Sequence, residues 1–474
     1  MSDPFVVVGG DAAGLSAASK CKREDPDREV LVFERGRWVS YAHCGEPYFV
    51  KGEVEHLSDL ISLSPDDVAE RGIDLRRESE VTAVDTDAEM VTVEGLDGTE
   101  TRPYGDLLVA TGASASMPLP GSDLHGVLPM HGLDDAAAMR AFLAPPTDAL
   151  PDAVDHDAVD AERVRRYAAR DPPETVAVVG GGYVGVEMAE ALAAGHDVRV
   201  QVFHRGERLL SPFGGAVGER VTEHVGERVD LHLESEVAGL DGEDGRVTAV
   251  ECEGGERHAV DAAVVGVGVT PNSDLLSDTP VETGPSGAAL TDRYGETAVD
   301  GVYAAGDCAA DRHVVSGEQA WVPLGLTANR AGRAVGATVA GDPTPVGGVA
   351  GTAAVKAFEL EAARTGLLPE EAREAGFDPV AETVTAGSRS GYYPGAAETT
   401  VTLVADRGTG RLLGGSIVGA DRAAVRIDTV ATALEADLTV GEVERLDLQY
   451  APPFSPVWDP VLVAAKVLRG SLDG

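Results

Sequence analysis

A chain of 474 residues, 43% of them hydrophobic, exceeds what one core can organise and implies several domains with ordinary globular interiors. Its 80 acidic against 38 basic residues give a formal net charge of −42. That acid is spread along the whole chain, which argues against nucleic acid and anionic membranes as partners and implies a solvated, halophile-type surface. No apolar run reaches the length of a membrane-spanning helix, and Met1-Ser2-Asp3-Pro4 runs straight into a strand-like segment without a basic-then-apolar leader, so the expectation is a cytoplasmic protein.

The first element is Phe5-Val6-Val7-Val8, followed by Gly9-Gly10-Asp11-Ala12-Ala13-Gly14 and a helix of small residues; the next strand, 29–33, ends at Glu34. Glycines in such a turn allow close approach of a pyrophosphate to a helix N-terminus, and an acid closing the second strand holds a ribose hydroxyl. Asp11 stands at the middle glycine position, and Glu34 suits the unmodified adenosine ribose of FAD.

The pattern returns at 175–179, followed by Gly180-Gly181-Gly182-Tyr183-Val184-Gly185, a helix over 186–194, and a strand over 197–203 ending at His204-Arg205. Two such turns, each after a strand and before a helix, specify two nucleotide sites. Basic residues where an acid would select NAD point to the 2′-phosphate of NADP. The alternative is that His204 and Arg205 are simply solvated, and NADPH and NADH both stay open.

Residues 107–113 form a strand ending in Ala110-Thr111-Gly112, and 264–272, with Gly268, repeats that form. The Pro-, Asp- and Ala-rich stretch 144–173 reads as an acidic, exposed insertion. Gly301-Val302-Tyr303-Ala304-Ala305 leads into Gly306-Asp307-Cys308, and a helix is expected over 325–339. From about 349 strands alternate, and a helix over 423–435 follows, as in a separate α+β domain.

Cys21, Cys44, Cys252 and Cys308 are widely spaced, so neither a metal site nor a disulfide framework is expected. Cys21, Cys252 and Cys308 read as structural thiols. Cys44 lies before a Gly-x-Pro turn that opens a helix, a position expected to lower its pKa.

The two turns, Ala110-Thr111-Gly112 and Tyr303-Ala304-Ala305-Gly306-Asp307 together resemble the flavoprotein disulfide reductase superfamily over nearly the entire chain. Ser40-Tyr41-Ala42-His43-Cys44-Gly45-Glu46-Pro47-Tyr48 resembles its single-cysteine branch, the coenzyme A disulfide reductases and NADH oxidases. Gly391-Tyr392-Tyr393-Pro394-Gly395 and Tyr450-Ala451-Pro452-Pro453-Phe454 point to the coenzyme A disulfide reductase type. Oxidases of the branch usually carry histidine where this chain has Ala12. Two positions depart from the pattern: Glu46 replaces an apolar residue, and Trp458 stands where a basic residue often meets coenzyme A.

The resemblance implies an α/β fold: an FAD domain over 1–115 and 282–345, an NAD(P) domain over 116–281 carrying the insertion 144–173, and an α+β dimerisation domain over 348–474 of a homodimer. It implies catalytic roles for Cys44, Tyr450 and one of Tyr392 and Tyr393. It places Arg35, Val81 and Asp307 with the first turn's residues at FAD, and Tyr183, Val184, Glu187 and Gly268 with the second turn's at NADPH or NADH. It places Ser16, Lys20, Arg23, Ser40, His43 and Asn329 at coenzyme A disulfide or a similar small disulfide; for the basic residues of the first helix, ordinary surface charge is the alternative. The expected activity is NAD(P)H-dependent reduction of that disulfide, or of a persulfide, through Cys44. The alternative is an NAD(P)H oxidase cycling through a Cys44 sulfenic acid.

Overall fold

The computed structural model describes residues 3–472. Four-residue runs such as Phe5–Val8 and Val30–Phe33 are buried along their full length, the mark of strands covered on both faces of a parallel sheet. They join Asp74–Arg76, Asp106–Val109 and Val302–Ala304 in a five-stranded parallel sheet with Phe5–Val8 at its centre. A second parallel sheet repeats the plan around Thr175–Val179, with Arg199–Phe203 and Asp230–His232 on one side and Ala262–Val265 and Val127–Leu128 on the other. Each sheet has its own three-stranded antiparallel meander, Ser79–Asp85 to Gly98–Pro103 and Val237–Glu243 to Arg257–Ala259. In both halves the glycine turn leaves the central strand at its carboxyl end, where open α/β sheets bind their ligands.

The helix Ala12–Glu24 crosses Gly325–Val339 closely. A Cβ at Gly332 would lie 2.1 Å from the carbonyl oxygen of Ala13, and one at Gly336 would lie 2.2 Å from that of Ala17. Two glycines four residues apart thus let the backbones touch, and residues some three hundred positions apart share one surface.

From Ala353 to Gly419 the chain forms an antiparallel five-stranded sheet. The helices Ile427–Glu435 and Pro460–Leu472 contribute to a separate apolar core with Leu403, Ile417, Val430 and Leu468.

Residues 144–173 differ from the exposed insertion expected. They include the helix Ala161–Ala168, with Val164, Tyr167 and Ala168 buried. Tyr167 stacks on His125 with ring centroids 4.3 Å apart, and its hydroxyl accepts from the Gly126 amide at 3.3 Å. Arg163 pairs with Asp135 at 2.5 Å. Apolar residues at helical spacing give this segment one face that belongs to the core, although its acidic composition reads as solvated. The helix after the second glycine turn also starts earlier than expected, spanning Tyr183–Gly195.

Candidate active site

A cavity of 2320 Å³ extends along both glycine turns. Every cofactor-binding residue expected from the sequence lines it except Gly14 and Gly185. A Cβ at either of these would stand 1.9 Å from a carbonyl oxygen, that of Gly9 or Gly180 respectively. The third glycine of each turn therefore packs helix against strand, while the earlier ones face the ligand space. Gly9 has φ +110° and Gly180 φ +114°, values natural to glycine. A side chain at Gly112 or Gly182 would project into open space.

The two turns are braced alike by different chemistry. Glu34 Oε2 accepts from the Gly10 amide at 2.8 Å and its Oε1 from Gly36 at 2.7 Å. His204 Nδ1 accepts from the Gly181 amide at 3.2 Å. Burial and the nearby Arg205 hold the His204 pKa below its usual value, so this ring is a neutral brace rather than the cation its position suggested. Arg205 is exposed, lines the cavity and makes no ion pair among the described residues.

Cys44 sits in the single turn His43–Gly45, ahead of the helix Glu46–Lys51, and is the exposed one of the four free cysteines. Its pKa is raised, contrary to expectation, by burial and by Glu187, Glu46 and Asp307. Three carboxyls outweigh the end of so short a helix. Glu187, one turn into its helix, accepts from the Tyr48 hydroxyl at 3.2 Å, and burial lifts it to about 7. Tyr183 meets Phe213 edge to face at 5.2 Å. Asp307 also lines the cavity, and its carbonyl accepts from Trp321 Nε1 at 2.9 Å.

His43 bridges to Asp11 through Nε2 and donates through Nδ1 to the His131 carbonyl at 3.3 Å. Both ring nitrogens face acceptors, so the imidazolium is favoured. Burial lowers the pKa, but the Asp11 hydrogen bond and charge prevail and raise it to about 9.

A second cavity, of 300 Å³, adjoins the first at Asp11, Ala12 and Tyr41. Its walls include Ser16, Arg23, Ser40 and Asn329, which the sequence singled out, and Arg71 and Arg333, which it did not. Ser40 holds φ +47°, a left-handed conformation uncommon outside glycine and worth a functional reading. Lys20 is absent from the wall and pairs with Glu24, and His43 lies in the larger cavity instead. Arg71 and Arg333 carried no local motif; a search for isolated arginines in an acidic chain was the available signal.

The pyridine nucleotide-disulphide oxidoreductase family matches residues 3–334, and its dimerisation domain matches 352–460. The chain belongs to this family. FAD and NAD(P)H are the family's cofactors, and the open glycine cradles and the Glu34 brace fit them. The chain is 39% identical over 467 residues to the CoA-dependent NAD(P)H sulfur oxidoreductase of Pyrococcus abyssi, covering 98% of both chains. It is 30% identical to the NADH oxidase of Methanocaldococcus jannaschii, covering 97% of both. It superposes on the NAD-dependent persulfide reductase of A. fulgidus with a TM-score of 0.90 at 30% identity, covering 99% of this chain and 84% of that one. Among the described residues, no helix is long and apolar enough to cross a membrane.

The family's dimerisation domain carries the three tyrosines, and none of them lines either cavity of their own chain. Tyr392 is 77% exposed, Tyr450 49% and Tyr393 37%. Tyr450 neighbours Tyr392 and raises its pKa, whereas Tyr393 lies under the Arg389 guanidinium, 5.9 Å from ring centroid to Cζ. Phe454, Val457 and Trp458 extend the same exposed apolar set.

Proposed function

We propose that this protein is an NAD(P)H-dependent reductase of coenzyme A disulfide, or of a related low-molecular-weight disulfide or persulfide, acting through Cys44. The observation that carries the reading is the small cavity walled by Arg23, Arg71 and Arg333 on a chain of net charge −42. Three arginines converging on one pocket in so acidic a protein favour a phosphate-bearing substrate. The pocket opens at Asp11 and Tyr41, beside the turn that holds Cys44.

FAD, when bound, relays two electrons from the nicotinamide to sulfur. The chain's own residues do the rest. Ser16, Asn329 and the arginines hold the nucleotide end of the substrate, so that its disulfide reaches Cys44. The Cys44 thiolate attacks one sulfur; the S–S bond breaks, a mixed disulfide forms on Cys44, and one thiolate leaves and takes a proton. Return of two electrons then cleaves the mixed disulfide and releases the second thiol. The exposed pair Tyr392–Tyr450 supports a homodimer in which these hydroxyls stabilise the leaving thiolate in the partner's site. The nearness of Tyr450 to Tyr392 favours Tyr392 over Tyr393 for that task. The free Arg205 supports a preference for NADPH. FAD is assigned to 1–115 with 282–345, NAD(P)H to 116–281 and dimerisation to 348–474, in a cytoplasmic, salt-adapted enzyme.

Anaerobic NADPH oxidation in concentrated KCl tests the reading. Oxidation that depends on added coenzyme A disulfide and yields two thiols per NADPH supports it. Oxidation that starts only on admitting air assigns the protein to the oxidases.

A further inference from the structure

Glu46 has no part in the chemistry described so far, yet it follows Cys44 by two residues and is only 3% exposed. It lines the large cavity together with Cys44 and His43. Its Oε1 is buried without a hydrogen-bond partner, and the nearest cation is His43, with Nδ1 3.9 Å away. That nitrogen already donates to the His131 carbonyl. A buried carboxylate with an unsatisfied oxygen is costly, and a neutral carboxylic acid far less so. The groups facing Glu46 from neighbouring elements increase the cost. Asp11 comes from the start of the first long helix and Asp135, backed by Arg163, from the helix Leu133–Phe142, while Tyr41, in the loop before Cys44, stays neutral and adds no charge. Only His43 offsets a negative charge on Glu46 directly.

We propose that Glu46 is a positioning residue for the redox thiol: beside Cys44 in one cavity, its uncharged form leaves a Cys44 thiolate unopposed from this side, and its ionisation opposes that thiolate. Glu187 and Asp307 also oppose an anion on Cys44 from other elements, and Glu46 does so from two residues along the same segment. Burial, against the pull of His43 and with the push of Asp135 and Asp11, brings Glu46 to about 8. The change of charge on Glu46 therefore falls within the working range of a thiol. The apolar residue that the resemblance places at this position could not act in this way. The inference rests on the assignment of Cys44 as the working thiol.

The test is the rate of iodoacetamide alkylation of Cys44 against pH in the full-length, FAD-loaded protein, with Cys44→Ser as the background, since the other three cysteines are buried. Glu46→Gln keeps the shape and removes the charge. It should move the Cys44 titration to lower pH and make alkylation at pH 8.5 roughly three- to tenfold faster than in the unmodified protein, as expected for losing one nearby anion. Glu46→Leu should do the same and serves if the glutamine variant loses flavin. Superimposable rate–pH curves, or slower alkylation in these variants, overturn the proposal. Failure of the Cys44 assignment looks different: Cys44→Ser would then retain disulfide-dependent NADPH oxidation, whatever the alkylation curves show.

Discussion

The Ser16 hydroxyl donates to Oδ1 of Asn329 at 2.7 Å, joining two helices separated by 313 positions in sequence. This contact sets one wall of the small cavity, between Arg23 on the first helix and Arg333 on the second. It depends on the close crossing at Gly332 and Gly336, so a backbone feature of two helices shapes the small cavity.

Replacing Arg71 or Arg333 with alanine should raise KM for coenzyme A disulfide roughly tenfold each, the loss of one charge-assisted contact. KM for NADPH should stay unchanged. Steady-state kinetics with both substrates varied checks this, and an equal rise in both constants would contradict the placement.

Arg205→Ala should raise KM for NADPH by about tenfold and leave KM for NADH within a factor of two. Equal effects on the two nucleotides would remove the argument for a 2′-phosphate contact. His204→Asn should act differently, weakening both nucleotides, because His204 braces the Gly181 amide as a neutral ring.

The folded-state pKa of His43 is raised to about 9. Its stabilising contribution is fully present below the unfolded value of about 6.5 and is lost as pH rises through 9. Melting temperatures of the unmodified protein and His43→Gln should therefore differ at pH 6 and converge by pH 10. Glu46 works with the opposite sense. Its raised pKa means the folded state holds a proton that the unfolded chain releases, so stability falls between about pH 4.5 and 8. Glu46→Leu should gain on the unmodified protein across that window and hold the gain above it.

The surface charge predicts a salt response. Unfolding at low KCl should be easier than at molar KCl, because the excess of 42 negative charges is then unscreened. Thermal melts across a KCl series check this; indifference to salt would count against a halophile-type surface.

The sequence reading was strongest where local pattern and chemistry coincide. The two strand–glycine–helix units and the helix Gly325–Val339 were legible, because turn geometry and helical spacing are written in consecutive residues, and Glu34 and Asp307 line the large cavity. Segment 144–173 was misread because composition hides a single buried face made by Val164, Tyr167 and Ala168. Arg333 was missed because only the helix crossing brings it to Ser16, and Arg71 because it meets the first helix, donating to the Ser19 hydroxyl, only in the folded chain. The charge states of His204 and Cys44 were misjudged for a related reason: burial and the carboxyls of Glu46, Glu187 and Asp307 decide the cysteine, and these converge from separate parts of the chain.

The most direct measurement of the central claim compares the unmodified protein with Cys44→Ser, both FAD-loaded, in anaerobic NADPH oxidation driven by coenzyme A disulfide in concentrated KCl. The account predicts full flavin content in both and a loss of disulfide-dependent turnover on the order of a thousandfold or more in the variant. Turnover within tenfold of the unmodified protein would contradict a mechanism that passes through Cys44.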